Sequence, residues 1–208
     1  MANKAIALAL TGASGAQYGL RLLDCLIEAG EEVYLMVSQA AQVVIAMETD
    51  LRLPGAPREM QAFLAERYGA LPGQLLVFGR DQWNAPVASG SSVPRAMAVC
   101  PCTSGTLAAI ATGASDDLLE RAADVVIKEG RKLILVSREM PLSAIHLQHM
   151  LTLAQLGAVV MPACPGFYHE PRSVDDLVDF VVARVLDHLE VEHELLPRWG
   201  AVDEPDDA

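Results

Sequence analysis

The sequence predicts one α/β domain built around a parallel sheet. Short apolar runs rich in branched residues alternate with segments of helical periodicity, which is the pattern of repeated strand and helix units. The 208 residues are enough for one domain with a sizeable core and too few for two ordinary domains with a linker. The acidic segment 201–208 is expected to be a disordered tail, so residues 1–200 are assigned to the domain.

Periodicity and the usual start and stop signals place the individual elements. Strands are predicted at residues 5–10, 33–37, 96–100, 133–137 and 159–161. Helices are predicted from residue 17 to about 30, at 39–47 and 58–68, and with a start at residues 101–106. A further helix is predicted to carry Arg121 and Lys128 and to end at Gly130, and two more are predicted at 141–156 and from 173 to about 190. Residues 69–94 lack regular periodicity and contain several Pro, Gly and Ser residues, so they are predicted to be an irregular binding loop.

The composition limits the functions that the chain can have. A formal net charge of -12 argues against nonspecific binding of nucleic acid or of an anionic membrane, because both need basic surfaces. The apolar run at residues 5–10 is too short for a signal peptide or a membrane span, so a cytoplasmic protein is expected. Hydrophobic residues make up 52% of the chain, and this favours a homo-oligomer that covers apolar surface.

Positive charge is concentrated in residues 121–143, where five of the 15 Lys and Arg residues lie. Arg121 and Lys128 are seven residues apart and therefore share one face of a helix. Arg138 and Glu139 follow a predicted strand directly, at the end where open α/β sheets bind ligands. The stretch therefore favours a binding site for an anion.

The same charges also have an ordinary structural interpretation, and spacing alone does not decide between the two. Asp124 and Lys128 are four residues apart and are able to form a surface ion pair, with Arg131 and Lys132 as solvated loop charges. Runs of charge are most often solvated faces of this kind.

Small and hydroxylated residues follow three of the predicted strands. Residues 11–16 follow the first strand, Ser38 follows the second, and residues 103–106 follow the third. Turns of this composition let backbone N–H groups approach a phosphate at the positive end of a helix. The spacing is not that of a dinucleotide fingerprint. Close packing between helix and strand is the alternative reason for small residues there.

Several other side chains are compatible with more than one role. Trp83 is able to stack on a ligand or to anchor a subunit contact. His146 and His149 share a helix face, but no third metal ligand lies nearby in the sequence. The acidic string 175–179 matches a magnesium-binding motif of all-helical enzymes, yet its position in a first helical turn makes coincidence the better explanation. The four cysteines are expected to be buried thiols.

Two further residues occupy positions that are unusual for their charge. Glu48 ends a predicted helix, where a carboxylate is unfavourable against the helix dipole, so a functional role is only the minority interpretation. Arg184 lies near the apolar face formed by Leu177 and Val181, which suggests that it has an anionic partner.

Six short motifs occur in a characteristic order along the chain. They are Thr11-Gly12-Ala13-Ser14-Gly15, Glu48-Thr49-Asp50, Ala88-Ser89-Gly90-Ser91, Arg121-Ala-Ala-Asp-Val-x-x-Lys128-Glu, Arg138-Glu139-x-Pro-Leu-Ser and Pro165-x-Phe-Tyr168. Together they resemble the flavin prenyltransferases, the UbiX-like proteins long described as aromatic acid decarboxylases. Each motif is weak by itself, but their order is highly specific and the resemblance covers nearly all of residues 4–200.

The resemblance implies a flavodoxin-like or Rossmann-like fold of three layers, in a homo-oligomer that is commonly a dodecamer. It implies transfer of a dimethylallyl group from dimethylallyl monophosphate to N5 and C6 of reduced FMN, without a metal. The product, prenylated FMN, would serve a UbiD-type decarboxylase in ubiquinone biosynthesis or aromatic acid metabolism.

The resemblance also implies roles for individual residues. Those expected to contact FMN are Gly12, Ala13, Ser14, Ser38, Thr103, Ser104, Gly105, Thr106 and Arg138. Those expected to bind the donor are Trp83, Ser89, Gly90, Arg121, Lys128, Glu139, Tyr168, Arg184 and Trp199. Those expected to take part in catalysis are Ser14, Glu48, Arg121, Lys128, Glu139 and Tyr168.

The chemistry explains why such residues are needed. Breaking an allylic C–O bond develops negative charge on the departing phosphate, and fixed cations stabilise that charge. Ring closure at C6 releases a proton, for which Glu48, Glu139 and the released phosphate all remain candidate bases.

Two rival functions remain open. The first is a flavin-dependent decarboxylase similar to the phosphopantothenoylcysteine decarboxylases, which share the fold. The second is a non-catalytic carrier that delivers FMN and has no need of the cluster of Arg121, Lys128 and Glu139.

Overall fold

The computed structural model describes residues 4–197, and within them one parallel sheet of six strands forms the centre of the molecule. The strands are β1 (Ile6–Leu10), β2 (Val33–Val37), β3 (Leu75–Phe78), β4 (Ala96–Cys102), β5 (Lys132–Ser137) and β6 (Val159–Pro162). Their order across the sheet is β3-β2-β1-β4-β5-β6. The order reverses between β1 and β4, and open α/β sheets bind ligands at the carboxyl ends of the strands beside such a reversal.

Helices cover both faces of the sheet, which gives the three layers that the sequence predicts. They are α1 (Ala16–Glu28), α2 (Gln39–Glu48), α3 (Pro57–Tyr68), α4 (Ser104–Thr112), α5 (Leu118–Lys128), α6 (Ala144–Gln155) and α7 (Val174–Leu189). Side chains of α1, α2, α3 and α7 share one buried cluster, and those of α4, α5 and α6 share another. Alternate residues of each strand enter the two clusters, because successive side chains of a strand point to opposite faces.

Most of the predicted elements are confirmed, and two differ. Strand β3 lies inside segment 69–94, which the sequence analysis treats as irregular. It has only four residues at the edge of the sheet, too few for a clear periodic signal. Helix α6 begins at Ala144 instead of residue 141, because Ser143 caps it and His146 completes the capping box.

Helix α7 begins as the sequence predicts. The Ser173 side chain accepts a hydrogen bond from the Asp176 N–H, and Asp176 accepts one from the Ser173 N–H in return. Within residues 4–197, no helix combines the length and the apolar character that crossing a bilayer requires. The predicted tail at 201–208 lies outside the described residues.

Candidate active site

The loops after β1 and β4 are joined to each other by the buried hydroxyl of Thr11. This hydroxyl donates to the carbonyl of Pro101 at 2.7 Å and accepts from the N–H of Thr103 at 2.8 Å. The side chain is 3% exposed, so both bonds are shielded from water. The bridge therefore fixes the two loops that flank the reversal of strand order. The sequence predicts no separate role for Thr11, and only the motif that contains it points to this position.

Helix α2 begins close to the loop that follows β1. A side chain at Gly12 would place its Cβ 2.5 Å from the Cβ of Ala40, so only glycine permits this approach. The Ser38 hydroxyl caps α2 by accepting from the N–H of Ala41 at 3.1 Å. Its own proton remains available to a ligand.

Helix α4 presents a second capped N-terminus beside the first. The Thr103 hydroxyl accepts from the N–H of Thr106 at 3.1 Å and donates to the Thr106 hydroxyl at 2.9 Å. Gly105 in this first turn is exposed, and a Cβ at this position would lie 3.9 Å from the Thr103 hydroxyl oxygen, its nearest neighbour. Residues predicted to contact the flavin thus gather at the carboxyl ends of β1, β2 and β4, and Arg138 adds the end of β5.

Glu48 is located where its charge is favourable, contrary to the expectation from sequence. It ends α2, but its Oε2 accepts from the N–H groups of Gly15 and Ala16 at 2.9 Å each. The carboxylate therefore lies at the positive N-terminus of α1. Close packing of α2 against α1 causes this placement, which a single helix pattern does not reveal.

The surroundings of Glu48 keep it ionised. Burial alone would raise the pKa of Glu48, but hydrogen bonds from Ser14, Ala16 and Gly15 and the charge of Arg138 outweigh it. The net result is a pKa below the usual value. Two N–H groups of α1 are thereby already bound to a carboxylate, so a phosphate would have to replace Glu48 to use them.

One group of predicted donor-binding residues lies where α5 meets the turn at residues 88–92. Arg121 donates from Nε to the carbonyl of Ala88 at 3.2 Å. It also pairs with Asp124 at 2.7 Å, while Lys128 pairs with Glu129 at 2.5 Å. The surface pair between Asp124 and Lys128 that spacing allows is replaced by these two pairs.

A second group lies at α7 and the loop before it, around an open cavity of about 590 Å³. Arg184 is exposed and pairs with Asp187, so its anionic partner lies on its own helix. His193 approaches the other oxygen of Asp187 at 3.2 Å. The ring of Tyr168 packs edge-on against Phe180, with 5.9 Å between ring centroids.

The fold keeps these two groups apart within one chain. Helix α5 packs into the buried cluster on one face of the sheet, and α7 packs into the cluster on the other face. The predicted donor site is therefore divided between Arg121 and Lys128 on one side and Tyr168 and Arg184 on the other. Sequence reasoning missed this division because motif order carries no information about the face on which a helix packs.

The remaining predicted residues are distributed around these groups. Glu139 follows β5 and its carboxylate accepts from the N–H of Met140 at 3.2 Å. Ser89 contacts Ser91 through their hydroxyls at 3.2 Å, next to the first group. Trp83 is 48% exposed in the connection between β3 and β4. Trp199 lies outside the described residues.

Two residues of the acidic string and one of the two histidines have structural roles. Asp176 caps α7, and Asp179 pairs with Arg21 at 2.8 Å. His146 accepts from the N–H of Ser143 at 3.2 Å. Over residues 4–197, no three His, Cys, Asp or Glu side chains come close enough to form a metal site.

The cysteines are free thiols. Cys25, Cys100 and Cys102 are buried as predicted, whereas Cys164 is exposed. Burial raises the pKa of Cys25 to about 11 and that of Cys102 to about 12, which leaves these two thiols protonated and unreactive.

Comparison with known proteins gives a consistent result. The family model described as Flavoprotein matches residues 1–186. A flavin prenyltransferase UbiX of Pseudomonas aeruginosa is 62% identical over 195 residues, which cover 94% of this chain and 93% of the relative.

Solved structures agree with that result. AnUbiX in complex with FMN and dimethylallyl pyrophosphate is 39% identical with a TM-score of 0.85, and the match covers 97% of this chain and all of that one. A dodecameric FMN-dependent UbiX-like decarboxylase from Escherichia coli is 43% identical with a TM-score of 0.81, covering 93% of this chain and 98% of its own.

The environment of Glu48 predicts a pH-dependent contribution to stability. Because the folded-state pKa is lowered, the ionised carboxylate stabilises the fold above its unfolded pKa, and this stabilisation is lost as the pH falls through the folded value. We expect Glu48→Gln to lower the free energy of unfolding by about 1 kcal/mol at neutral pH. The difference from wild type should shrink on acidification.

Denaturant titrations at matched protein concentration measure this effect, with Glu66→Gln on the exposed side of α3 as the control. Equal stability of Glu48→Gln and wild type at neutral pH would contradict the assigned contacts.

Proposed function

The chain belongs to the Flavoprotein family and is a flavin prenyltransferase, and we propose that it transfers a dimethylallyl group from dimethylallyl monophosphate to N5 and C6 of reduced FMN. The observation that carries the proposal is that the chain has two groups of cations, on α5 and α7, in addition to the hydroxyl and N–H donors at the carboxyl ends of its strands. A carrier of FMN would need only the donors at the strand ends.

The donor set at the strand ends fits a flavin mononucleotide. Capped N-termini of α2 and α4 offer hydroxyl and N–H donors, and Gly12 and Gly105 leave the backbone accessible. The exposed guanidinium of Arg138 adds a positive charge on the same edge. Reduced FMN supplies the nucleophilic N5 and C6 positions when it is bound. The chain's own residues hold and orient it there.

The cations stabilise the departing phosphate. As the allylic C–O bond breaks, the electron pair stays with oxygen and negative charge grows on the phosphate. Arg121, Lys128 and Arg184 stabilise this charge, and the hydroxyl of Tyr168 is able to donate a hydrogen bond to it. The interaction strengthens as the bond breaks, which is what lowers the barrier. In this proposal the monophosphate is held without a metal.

Glu48 and Ser14 are suited to accept and relay the proton that ring closure at C6 releases. The lowered pKa keeps Glu48 ionised near neutral pH, so it is able to accept a proton. The Ser14 hydroxyl bonds to this carboxylate and is itself exposed, so it is able to relay a proton between a ligand and Glu48. Glu139 and the released phosphate remain alternative acceptors.

A homo-oligomer, as a dodecamer, completes the site in this proposal. The two donor-binding groups lie on opposite faces of one chain, so a second copy must supply the missing group. Helix α6 and the segment before it expose large apolar side chains, including Met140 at 85% and Ile145 at 67%. Such a surface is typical of a subunit interface. The dodecameric relative from Escherichia coli supports this arrangement.

The proposed cellular location of the protein and the proposed use of its product are inferred from the family. We propose a cytoplasmic enzyme whose prenylated FMN is consumed by a UbiD-type decarboxylase, in ubiquinone biosynthesis or aromatic acid metabolism. The acidic net charge of -12 supports a protein that does not bind nucleic acid or anionic membranes.

The direct test is anaerobic incubation of the protein with reduced FMN and dimethylallyl monophosphate, followed by mass spectrometry of the released flavin. We expect the flavin mass to rise by one dimethylallyl unit, less the hydrogen that it replaces. An unchanged flavin mass, with both ligands shown to bind, would refute the proposal. Oxidative decarboxylation of a cysteine-containing substrate with flavin reduction would favour the rival decarboxylase.

The variant Lys128→Ala distinguishes an enzyme that transfers the prenyl group from a carrier that only binds FMN. We expect this variant to bind FMN as wild type does and to lose about 10²-fold in prenyl transfer, because one cation no longer stabilises the departing phosphate. Lys132→Ala is the matched control, since Lys132 pairs with Glu190 and is not one of the predicted donor-binding residues. Full transfer activity in Lys128→Ala would support the carrier or another phosphate site.

A further inference from the structure

Each cation of the proposed donor site has a carboxylate partner. Arg121 pairs with Asp124 at 2.7 Å and Lys128 with Glu129 at 2.5 Å, and Arg184 pairs with Asp187. The proposed function uses the cations and assigns nothing to their partners. A phosphate that arrives at these cations must lie next to the carboxylates or displace them.

Glu129 has the most specific placement of these partners. A side chain at Gly90 would collide with Oε1 of Glu129 and would lie 3.1 Å from Nζ of Lys128. The absence of a side chain at Gly90 therefore makes room for both charged groups against the turn at residues 88–92. Gly90 and Lys128 both belong to the predicted donor site, so the carboxylate of Glu129 lies within the space proposed for the donor phosphate.

Glu129 is ionised at neutral pH. Lys128 holds the pKa of Glu129 below its usual value, through its hydrogen bond first and its charge second. With Asp124 also present, the charges of Arg121 and Lys128 are matched by two carboxylates. The four side chains, three on α5 and that of Glu129 directly after it, therefore carry no net charge before a ligand binds, although two of them are cations.

The charge of the donor decides how well it fits such a site. A phosphate monoester carries up to two negative charges at neutral pH, and a diphosphate monoester carries about one more. Repulsion from a fixed carboxylate grows with every charge added nearby. The similar AnUbiX was solved with a diphosphate, dimethylallyl pyrophosphate, so donors of both kinds are relevant to proteins of this fold.

We propose that Glu129 is a specificity-determining residue, whose carboxylate beside Lys128 and Gly90 lets the site accept a phosphate monoester and disfavours a diphosphate. This inference rests on the proposed function, because it concerns the donor of the same reaction. Glu129 acts on the donor phosphate directly through its charge and indirectly by orienting Lys128.

Glu129→Gln tests the charge alone, since glutamine keeps the size of the side chain and still accepts a hydrogen bond from Lys128. We expect the ratio of kcat/KM for dimethylallyl diphosphate to that for the monophosphate to rise about three- to tenfold. Glu190→Gln is the matched control, because Glu190 pairs with Lys132 in the same way and neither residue belongs to the predicted donor site. Its ratio should equal that of wild type.

Three outcomes would overturn the inference. Equal gains with both donors would mean that Glu129 competes with any phosphate, and equal losses with both would mean that it only orients Lys128. Unchanged kcat/KM values for both donors would give Glu129 no role.

A binding measurement keeps the test independent of catalysis. Inorganic phosphate and pyrophosphate are titrated into the FMN-loaded protein by calorimetry, and Glu129→Gln should tighten pyrophosphate binding several-fold more than phosphate binding. Equal changes in the two affinities contradict the inference. If wild type forms no prenylated flavin with either donor, the proposed function fails, and these titrations still decide the role of Glu129.

Discussion

The hydroxyl of Thr11 is the interaction on which the arrangement of the site depends. By bonding to Pro101 and Thr103 at once, it joins the chain after β1 to the last residues of β4 and the loop that follows, where the strand order of the sheet reverses. The N-termini of α1 and α4 start from these two loops. Their positions relative to each other are therefore set by one buried side chain, in addition to the packing of the sheet.

Electrostatic balance is the second constraint. The N-terminus of α1 is occupied by the carboxylate of Glu48, and the cations at α5 and α7 are paired with carboxylates of their own. In the proposed donor site, these ion pairs orient the cations before a phosphate arrives. In the proposed donor site the same carboxylates lower the net charge, and for this reason we propose that the charge of the ligand is a basis for selection.

The sequence predicts the layers and five of the six strands, because buried parallel strands and amphipathic helices leave clear periodic patterns. It misses β3, whose four residues lie at a sheet edge, and it misplaces the start of α6, where Ser143 and not Pro141 determines the first turn. The motifs identify the family and the strand ends that carry polar residues. They do not reveal that Glu48 reaches α1 or that Lys128 and Arg184 lie on opposite faces, because both facts depend on how helices pack.

Because the proposed donor site is divided between two faces of the chain, one complete site requires two copies, and mixing of inactive subunits tests this requirement. Lys128→Ala and Arg184→Ala are each expected to lose prenyl transfer when assayed alone. If different copies of the chain supply the two residues, co-expressed oligomers of both variants contain some sites with Lys128 and Arg184 intact, and activity returns to a measurable fraction of wild type. Co-expressed oligomers as inactive as either variant alone would mean that different copies do not supply the two residues.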